Sequence, residues 1–188
     1  CEELCIMKNS SIKTVVAVGI GAALFFVLGR FVAIPSGIPN TNISLQYAIL
    51  GMLAAMYGPV AGGLIGLIGH TLIDLSWGGS PWWSWVIAST FVGIIVGLFA
   101  KKLALNEGDF GGKKIALFAI VNVIANVIAW IVIAPSLDVL IYAEPVAKVF
   151  SQGVFAAIAN SLTAVIVGAL LVAAYSKTIA KKGSLDKE

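Results

Sequence analysis

The sequence predicts an all-α membrane protein, six transmembrane helices in one bundle with the N and C termini on the cytoplasmic side. Three observations predict it. Of the 188 residues, 60% are hydrophobic and 11% charged, with a mean hydropathy of +1.01, whereas a soluble domain carries about 25% charged residues. Uncharged apolar stretches, several near the roughly 20 residues that cross a bilayer, fill most of the chain. Ten of the twelve basic residues fall in three clusters between those stretches: Lys8 and Lys13; Lys101, Lys102, Lys113 and Lys114; Lys177, Lys181, Lys182 and Lys187. Positive charge is retained on the cytoplasmic face, so the clusters mark that face, and only Arg30 and Lys148 fall outside. The net charge of +3 then reflects topology and lipid-headgroup contact, not nucleic-acid binding.

Each element follows in order. Residues 1–6 read as a leader ahead of a natural start at Met7-Lys8-Asn9, residues 7–182 as a single six-helix transmembrane domain, and residues 183–188 as a cytoplasmic tail. Cys1 and Cys5 lie in the leader; without it there is no disulfide framework and no cysteine metal site. The first helix runs from about Ile12 to Ile34 and stops at Pro35. It runs on too far for a cleaved signal peptide, so it is retained. Pro35-Ser-Gly-Ile-Pro-Asn-Thr-Asn42 is an outer loop rich in turn formers. Gly58-Pro59 then divides an apolar stretch into a short helix, Ile43–Tyr57, and a second, Pro59–Ser76, with Pro59 at its first position. The short helix spans poorly alone, but Lys13 and Lys101 share a side only if an even number of crossings separates them, so it counts as one. The remaining helices are Trp83 to Leu103, Ile115–Ala134 ending at Pro135, and Val149–Tyr175. Asn106–Gly112 is a flexible cytoplasmic link, and Asp138, Glu144 and Lys148 belong to an outer loop.

Helices in lipid pack through small residues. On the first helix, Ala17 and Gly21, and Gly19 and Ala23, are four apart and lie on shared faces. Packing within the bundle is the ordinary explanation; a docking face for another membrane subunit is the sharper one.

Polar groups inside apolar segments are costly and are functional candidates. His70 and Asp74 share a face of the third helix, with Arg30 at a similar depth on the first. They form either a self-neutralising Arg30–Asp74–His70 network or ligand contacts. One histidine and one nearby acid do not fill a metal shell. Asn122 and Asn126, with Trp130 a further turn outward, share a face of the fifth helix, and Asn160 lies inside the sixth. Interhelical hydrogen bonding is their plain role; offering amides to a buried ligand is the rival.

Four of the five tryptophans, Trp77, Trp82, Trp83 and Trp85, crowd around Gly78-Gly79. An interfacial aromatic belt explains one or two; four suggest stacking surfaces. Asn40, Thr41, Asn42, Gln46 and Tyr47 face the same outer vestibule. The expected pocket opens outward, is walled by indoles and lined by amides, carries little net charge, and suits a hydrogen-bond-rich ring compound. No phosphate-binding loop, zincin motif or nucleophile elbow occurs, so ATP hydrolysis would have to come from elsewhere.

Several local motifs carry a family resemblance: Ile38-Pro-Asn-Thr-Asn-Ile-Ser-Leu-Gln-Tyr47, Tyr57-Gly-Pro59, Gly69-His-Thr-Leu-Ile-Asp74 and Gly79-Ser-Pro-Trp-Trp-Ser-Trp85. With the helix count and the small-residue face, they make Met7 to about Lys182 resemble the S components of energy-coupling factor (ECF) vitamin transporters, of the riboflavin type. The resemblance implies a bacterial cell-membrane protein that is not an enzyme. It would capture a vitamin from outside and release it inside by toppling. Its partners would be a transmembrane coupling subunit (EcfT-like), which Ala17, Gly19, Gly21 and Ala23 would meet, and two cytoplasmic ATPases (EcfA-like) that hold ATP and magnesium. The chain itself would carry no cofactor and no metal. Asn42, Gln46, Tyr47, His70, Asp74, the tryptophans, Asn122, Asn126 and Asn160 become pocket candidates by position. Cobalamin is the first ligand expectation, because corrin side-chain amides suit an asparagine-rich lining; riboflavin on tryptophan, or a pyrimidine or pyridoxine, suits it too. A small membrane enzyme using His70 and Asp74, and a scaffold subunit without a ligand, are the competing classes.

Overall fold

Helices form where the sequence is apolar and uninterrupted, and they break where glycine and proline intervene. The computed structural model describes residues 2–108 and 110–179, with side chains from Ile12 onward. Cys1, Asp109, the lysines at 181, 182 and 187 and the tail 183–188 lie outside the described residues, as do the side chains of the leader and Lys8. The helices are α1 (Glu2–Phe31), α2 (Gln46–Tyr57), α3 (Pro59–Ser76), α4 (Trp83–Leu98), the single turn α5 (Ala100–Leu103), α6 (Gly112–Val127), α7 (Ala134–Tyr142), α8 (Val146–Thr163) and α9 (Ala169–Thr178). Among the described residues the expected purely helical chain acquires one exception: β1 (Ile34–Pro35) and β2 (Asn42–Ile43) form a two-residue antiparallel ladder that closes the loop after α1 into a hairpin. Paired backbone groups there need no water.

Among the described residues, four helical stretches are long and apolar enough to cross a membrane: Ile12–Phe31, Pro59–Ser76, Gly112–Tyr142 and Val146–Thr178. A fifth results if Trp83–Leu98 and Ala100–Glu107, bent by 45°, count as one span. α2 has 12 residues and therefore reaches only about 18 Å, well short of the hydrocarbon thickness. It lies inside the bundle against α1, α3 and α4.

Large apolar side chains cover the outer surface, while several polar ones are buried beside an apolar core. Leu140, Val15 and Leu170 are among the most exposed residues, at 79%, 71% and 66%, while Ser84, Ser89, Asn122 and Asn126 are fully buried. In water such an apolar surface would drive association; in lipid it is the solvent-facing side, and the buried polar groups bond backbone carbonyls and one another.

Backbone breaks position the helices. Gly58 (φ +88°) turns the chain sharply between α2 and α3, a conformation open only to glycine, and Pro59 opens α3. α3 and α4 then approach so closely that a side chain on Gly62 would strike the Gly93 carbonyl, and one on Gly93 the Gly62 carbonyl.

The expected stop at Pro135 does not occur. A wide turn, Ile128–Ile133, opens the hydrogen-bond ladder ahead of the proline, and Pro135 enters the first turn of α7, where its absent N–H is not missed. The Gly112–Tyr142 stretch therefore carries the expected loop residue Asp138 within a helix. A second wide turn, Ala164–Gly168, joins α8 to α9. The link between α5 and α6 is also tighter than expected: Leu105–Glu107 form a 3-10 turn, and Asn106 donates to the Met56 carbonyl at 3.1 Å while accepting from the Tyr175 hydroxyl at 3.1 Å.

The small residues of α1 divide between two environments. Ala17 and Gly21 are buried, and a side chain on Gly21 would collide with Ile65 and Leu53. That pair serves packing within the chain and is not free to meet a partner, which corrects half of the expected docking face. Gly19 and Ala23 are exposed, and nothing lies within 4 Å of a Cβ built on Gly19.

Candidate functional site

A cavity of about 600 Å³ opens where the β1–β2 hairpin, the α3–α4 loop and the α7–α8 link meet. That volume lies within the range of small-molecule sites, roughly 300–1,000 Å³. Of the residues expected to meet a ligand, Asn42, Gln46, Tyr47, His70, Asp74, Trp77, Trp82, Trp85, Trp130 and Asn160 line it. Asn40 and Thr41 do so from the hairpin, whose Pro39 carbonyl accepts from Gln152 of α8 at 2.7 Å.

Three expected residues do not line the cavity. Trp83 points away, 48% exposed, and only its backbone N–H is engaged locally, donating to the Tyr142 hydroxyl at 3.0 Å. Asn122 and Asn126 lie beneath the cavity and sustain a ladder up α6. Asn122 Nδ2 donates to the Phe118 carbonyl at 2.8 Å, Asn126 Nδ2 to the Asn122 carbonyl at 2.9 Å, and Trp130 Nε1 to Asn126 Oδ1 at 3.1 Å. Helical spacing put all three on one face, but only the last reaches the opening.

The wall is aromatic and locked edge to face. Tyr47 meets Phe25 and Trp130 at centroid distances of 5.4 and 5.5 Å, and Trp85 meets Trp130 at 5.2 Å. A polar chain runs behind it: the Tyr47 hydroxyl is 2.8 Å from Ser89 Oγ, which is 2.6 Å from His70 Nδ1. His70 Nε2 lies 3.7 Å from Asp74 Oδ1. Arg30 does not complete the expected network with them. Its guanidinium sits 3.8 Å from the Trp77 ring centroid and 5.4 Å from that of Phe31, a cation–π arrangement.

Asp138 is the chief residue the sequence reading placed elsewhere. It is 2% exposed and accepts from Trp82 Nε1 at 2.6 Å, from Trp85 Nε1 at 2.9 Å and from Ser84 Oγ. Trp82 also stacks on Tyr142, centroids 4.1 Å apart, and its backbone N–H donates to Asp74 Oδ2 at 2.8 Å. Two carboxylates thus fix the indole-bearing loop over the opening. The available signal was an acid inside the apolar run Leu137-Asp138-Val139-Leu140-Ile141. Gln152, Glu144 and Lys148 also line the cavity.

Because Asn126 holds the Trp130 indole, Asn126→Leu is expected to weaken ligand binding by about tenfold, the worth of one buried hydrogen bond. Calorimetric titration would show it, with a shifted tryptophan emission maximum; unchanged affinity would mean the wall keeps its shape without that bond.

Comparison with known proteins gives a consistent result. The family profile described as "ECF-type riboflavin transporter, S component" matches residues 9–177. The chain is 53% identical over 181 residues to a UPF0397 protein of Enterococcus faecalis, covering 96% of this chain and 99% of the relative. It is 53% identical over 182 residues to a UPF0397 protein of Clostridium perfringens, covering 96% and 98%. It is 51% identical over 182 residues to one of Lactococcus lactis, covering 97% and 100%. No solved structure matches. With a profile spanning nearly the whole chain and relatives at half identity over their full length, this chain belongs to the S-component family of ECF-type riboflavin transporters.

Proposed function

We propose that this chain captures one vitamin-sized ring compound in the cavity from outside the cell and passes it inward with a transmembrane coupling subunit and two cytoplasmic ATPases. As an S component it is a multi-pass membrane protein and a transporter subunit, not an enzyme. The observation that carries the proposal is the cavity itself: about 600 Å³, walled by Tyr47, Trp82, Trp85 and Trp130, with the Asn160 side chain lining it and without a hydrogen-bond partner among the described residues. A carboxamide that faces the cavity without a protein partner has its donor and its acceptor free for a guest with a matching edge.

In this reading the chain crosses six times, α2 completing a short crossing with its flanking loops, and the cavity mouth faces outward. Gly19 and Ala23 offer the coupling subunit a close approach. Two observations favour a flavin-sized ring over cobalamin. The cavity volume of about 600 Å³ suits a single flat heterocycle, and the Asn122 and Asn126 amides that recommended a corrin do not line the cavity.

Calorimetry on the purified chain against a vitamin panel that includes riboflavin and cobalamin tests this. At least one should bind at micromolar concentration or below without ATP, and Asn160→Leu should weaken it by about tenfold or more. Silence across the whole panel would remove the capture reading.

A further inference from the structure

Ser89 is fully buried and does not line the cavity, yet it stands between two residues that do. Its Oγ lies 2.8 Å from the Tyr47 hydroxyl and 2.6 Å from His70 Nδ1. The neighbouring Thr90 spends its hydroxyl on the Val86 carbonyl one turn back, at 2.9 Å, an ordinary outlet for a hydroxyl within a helix. Ser89 reaches across to α2 and α3 instead. Gly66 makes that reach possible: a side chain there would strike the Ser89 carbonyl. His70 follows Gly66 by four residues on the same face of α3.

The Tyr47–Ser89 and Ser89–His70 contacts need one proton each. A bare Nδ1 takes the Ser89 proton, Tyr47 then donates to Ser89 Oγ, and both contacts are satisfied. The remaining ring proton sits on Nε2, which lies 3.7 Å from Asp74 Oδ1. The other neutral form puts the proton on Nδ1 and turns a bare Nε2 toward that carboxylate, an acceptor facing an acceptor. Phe25 stands against the imidazole, centroids 6.2 Å apart, and the close packing of a buried ring opposes a flip that would exchange its edges. At 3.7 Å the Nε2–H is beyond hydrogen-bond reach of Asp74. It therefore remains available on the side where Asp74 lines the cavity.

We propose that Ser89 is a positioning residue for capture: its hydroxyl holds His70 as the Nε2–H tautomer, so the imidazole meets a guest as a hydrogen-bond donor beside the acceptor Asp74. This rests on the capture reading above and adds to it a residue that touches no guest. Tyr47 supports the arrangement from behind, because a hydroxyl that accepts one hydrogen bond donates the next more strongly. The aromatic wall and the cavity histidine are thereby tied together through one side chain of α4.

His70 is the single histidine of the chain. Histidine labelled with nitrogen-15 therefore gives one imidazole spectrum from the full chain in detergent micelles, purified through a tag that contains no histidine. The spectrum is recorded at about pH 9, above the ordinary imidazole range, with no vitamin added. The Nε2–H form should exceed the Nδ1–H form by about tenfold or more, the worth of one hydrogen bond. Ser89→Ala should move the Nδ1 resonance toward that of an imidazole nitrogen that accepts no hydrogen bond, and Thr90→Ala should leave it in place. Tyr47→Phe should move it the same way by less, and it supplies the reading if Ser89→Ala does not fold. A ring protonated on Nδ1, alone or together with Nε2, overturns the tautomer assignment. An Nδ1 resonance left in place by Ser89→Ala, or by Tyr47→Phe where the serine variant does not fold, overturns the role of Ser89. Either result leaves capture standing, whereas a vitamin panel without a binder overturns the capture role and leaves the tautomer.

Discussion

Asp138→Ala is expected to reduce ligand binding by about 100-fold and to lower the melting temperature of the purified protein clearly. The carboxylate is 2% exposed and is the shared acceptor of Trp82 Nε1, Trp85 Nε1 and Ser84 Oγ. Truncation leaves three donors without it, and each donor stranded away from water costs about 1–3 kcal/mol. Partial exposure of Trp82 lets water recover some of that, so about 3 kcal/mol is the net expectation. The binding loss follows from the same geometry. Trp82 and Trp85 form the wall, and without the carboxylate their indole N–H groups lose the shared acceptor, leaving the ring contacts to Tyr142 and Trp130 to orient them. Asp138→Asn keeps one acceptor oxygen and should fall between the two, while Ser84→Ala, which removes one donor cleanly, should be mild. Thermal scanning and calorimetry check the series. An alanine variant that melts and binds like the unaltered chain would show that the indoles hold themselves.

Gly93→Leu should yield no folded protein. The α3–α4 crossing brings backbone against backbone, and a Cβ at position 93 would meet the Gly62 carbonyl with no flexible side chain to yield. Helices in lipid have no hydrophobic effect to draw them back together once they are held apart, so the loss is not repaired by repacking elsewhere. The matched control is Gly19→Leu, where nothing lies within 4 Å of the added Cβ. It should fold, melt and bind ligand normally. Size-exclusion profiles of the two variants, expressed in parallel, separate the cases: a monodisperse Gly93→Leu protein would mean that the α3–α4 contact can widen.

How much of the site was legible depended on the kind of signal. Periodicity placed His70 and Asp74 together, and they are together, 3.7 Å apart. It also placed Asn122, Asn126 and Trp130 on one face, which is correct, but a face six to nine residues long extends below a cavity as well as along it. Only Trp130 lines the opening, at the wide turn Ile128–Ile133, and nothing in the local sequence announced that turn except Pro135. The proline was read as a stop because a missing N–H usually ends a helix. Widening the preceding ladder was the alternative solution, and it turned an outer-loop acid, Asp138, into the anchor of two tryptophans.

The four tryptophans between 77 and 85 show the same limit. Their clustering flagged a ligand wall or an interfacial belt, and the structure divides them: Trp77, Trp82 and Trp85 line the cavity, and Trp83 does not. Which indole turns inward depends on where a distant acceptor stands, and that acceptor, Asp138, is more than fifty residues away. The small residues of α1 divide for a related reason. Ala17 and Gly21 are buried, Gly21 against Ile65 of α3 and Leu53 of α2, while Gly19 and Ala23 are exposed, and a four-residue spacing describes both faces equally well.

What the sequence determined by itself was the solvent: a chain 60% hydrophobic with its lysines in three clusters has to live in a bilayer, because no arrangement of its side chains covers it with charge. It also determined the family, through contiguous motifs that survive without knowledge of contacts. The tertiary structure alone decided which polar groups share a cavity, which carboxylates are already occupied and which amide is left waiting. Those are properties of pairs of atoms from different helices, and a helix's own periodicity fixes only the face a residue stands on, not the neighbour that face will meet.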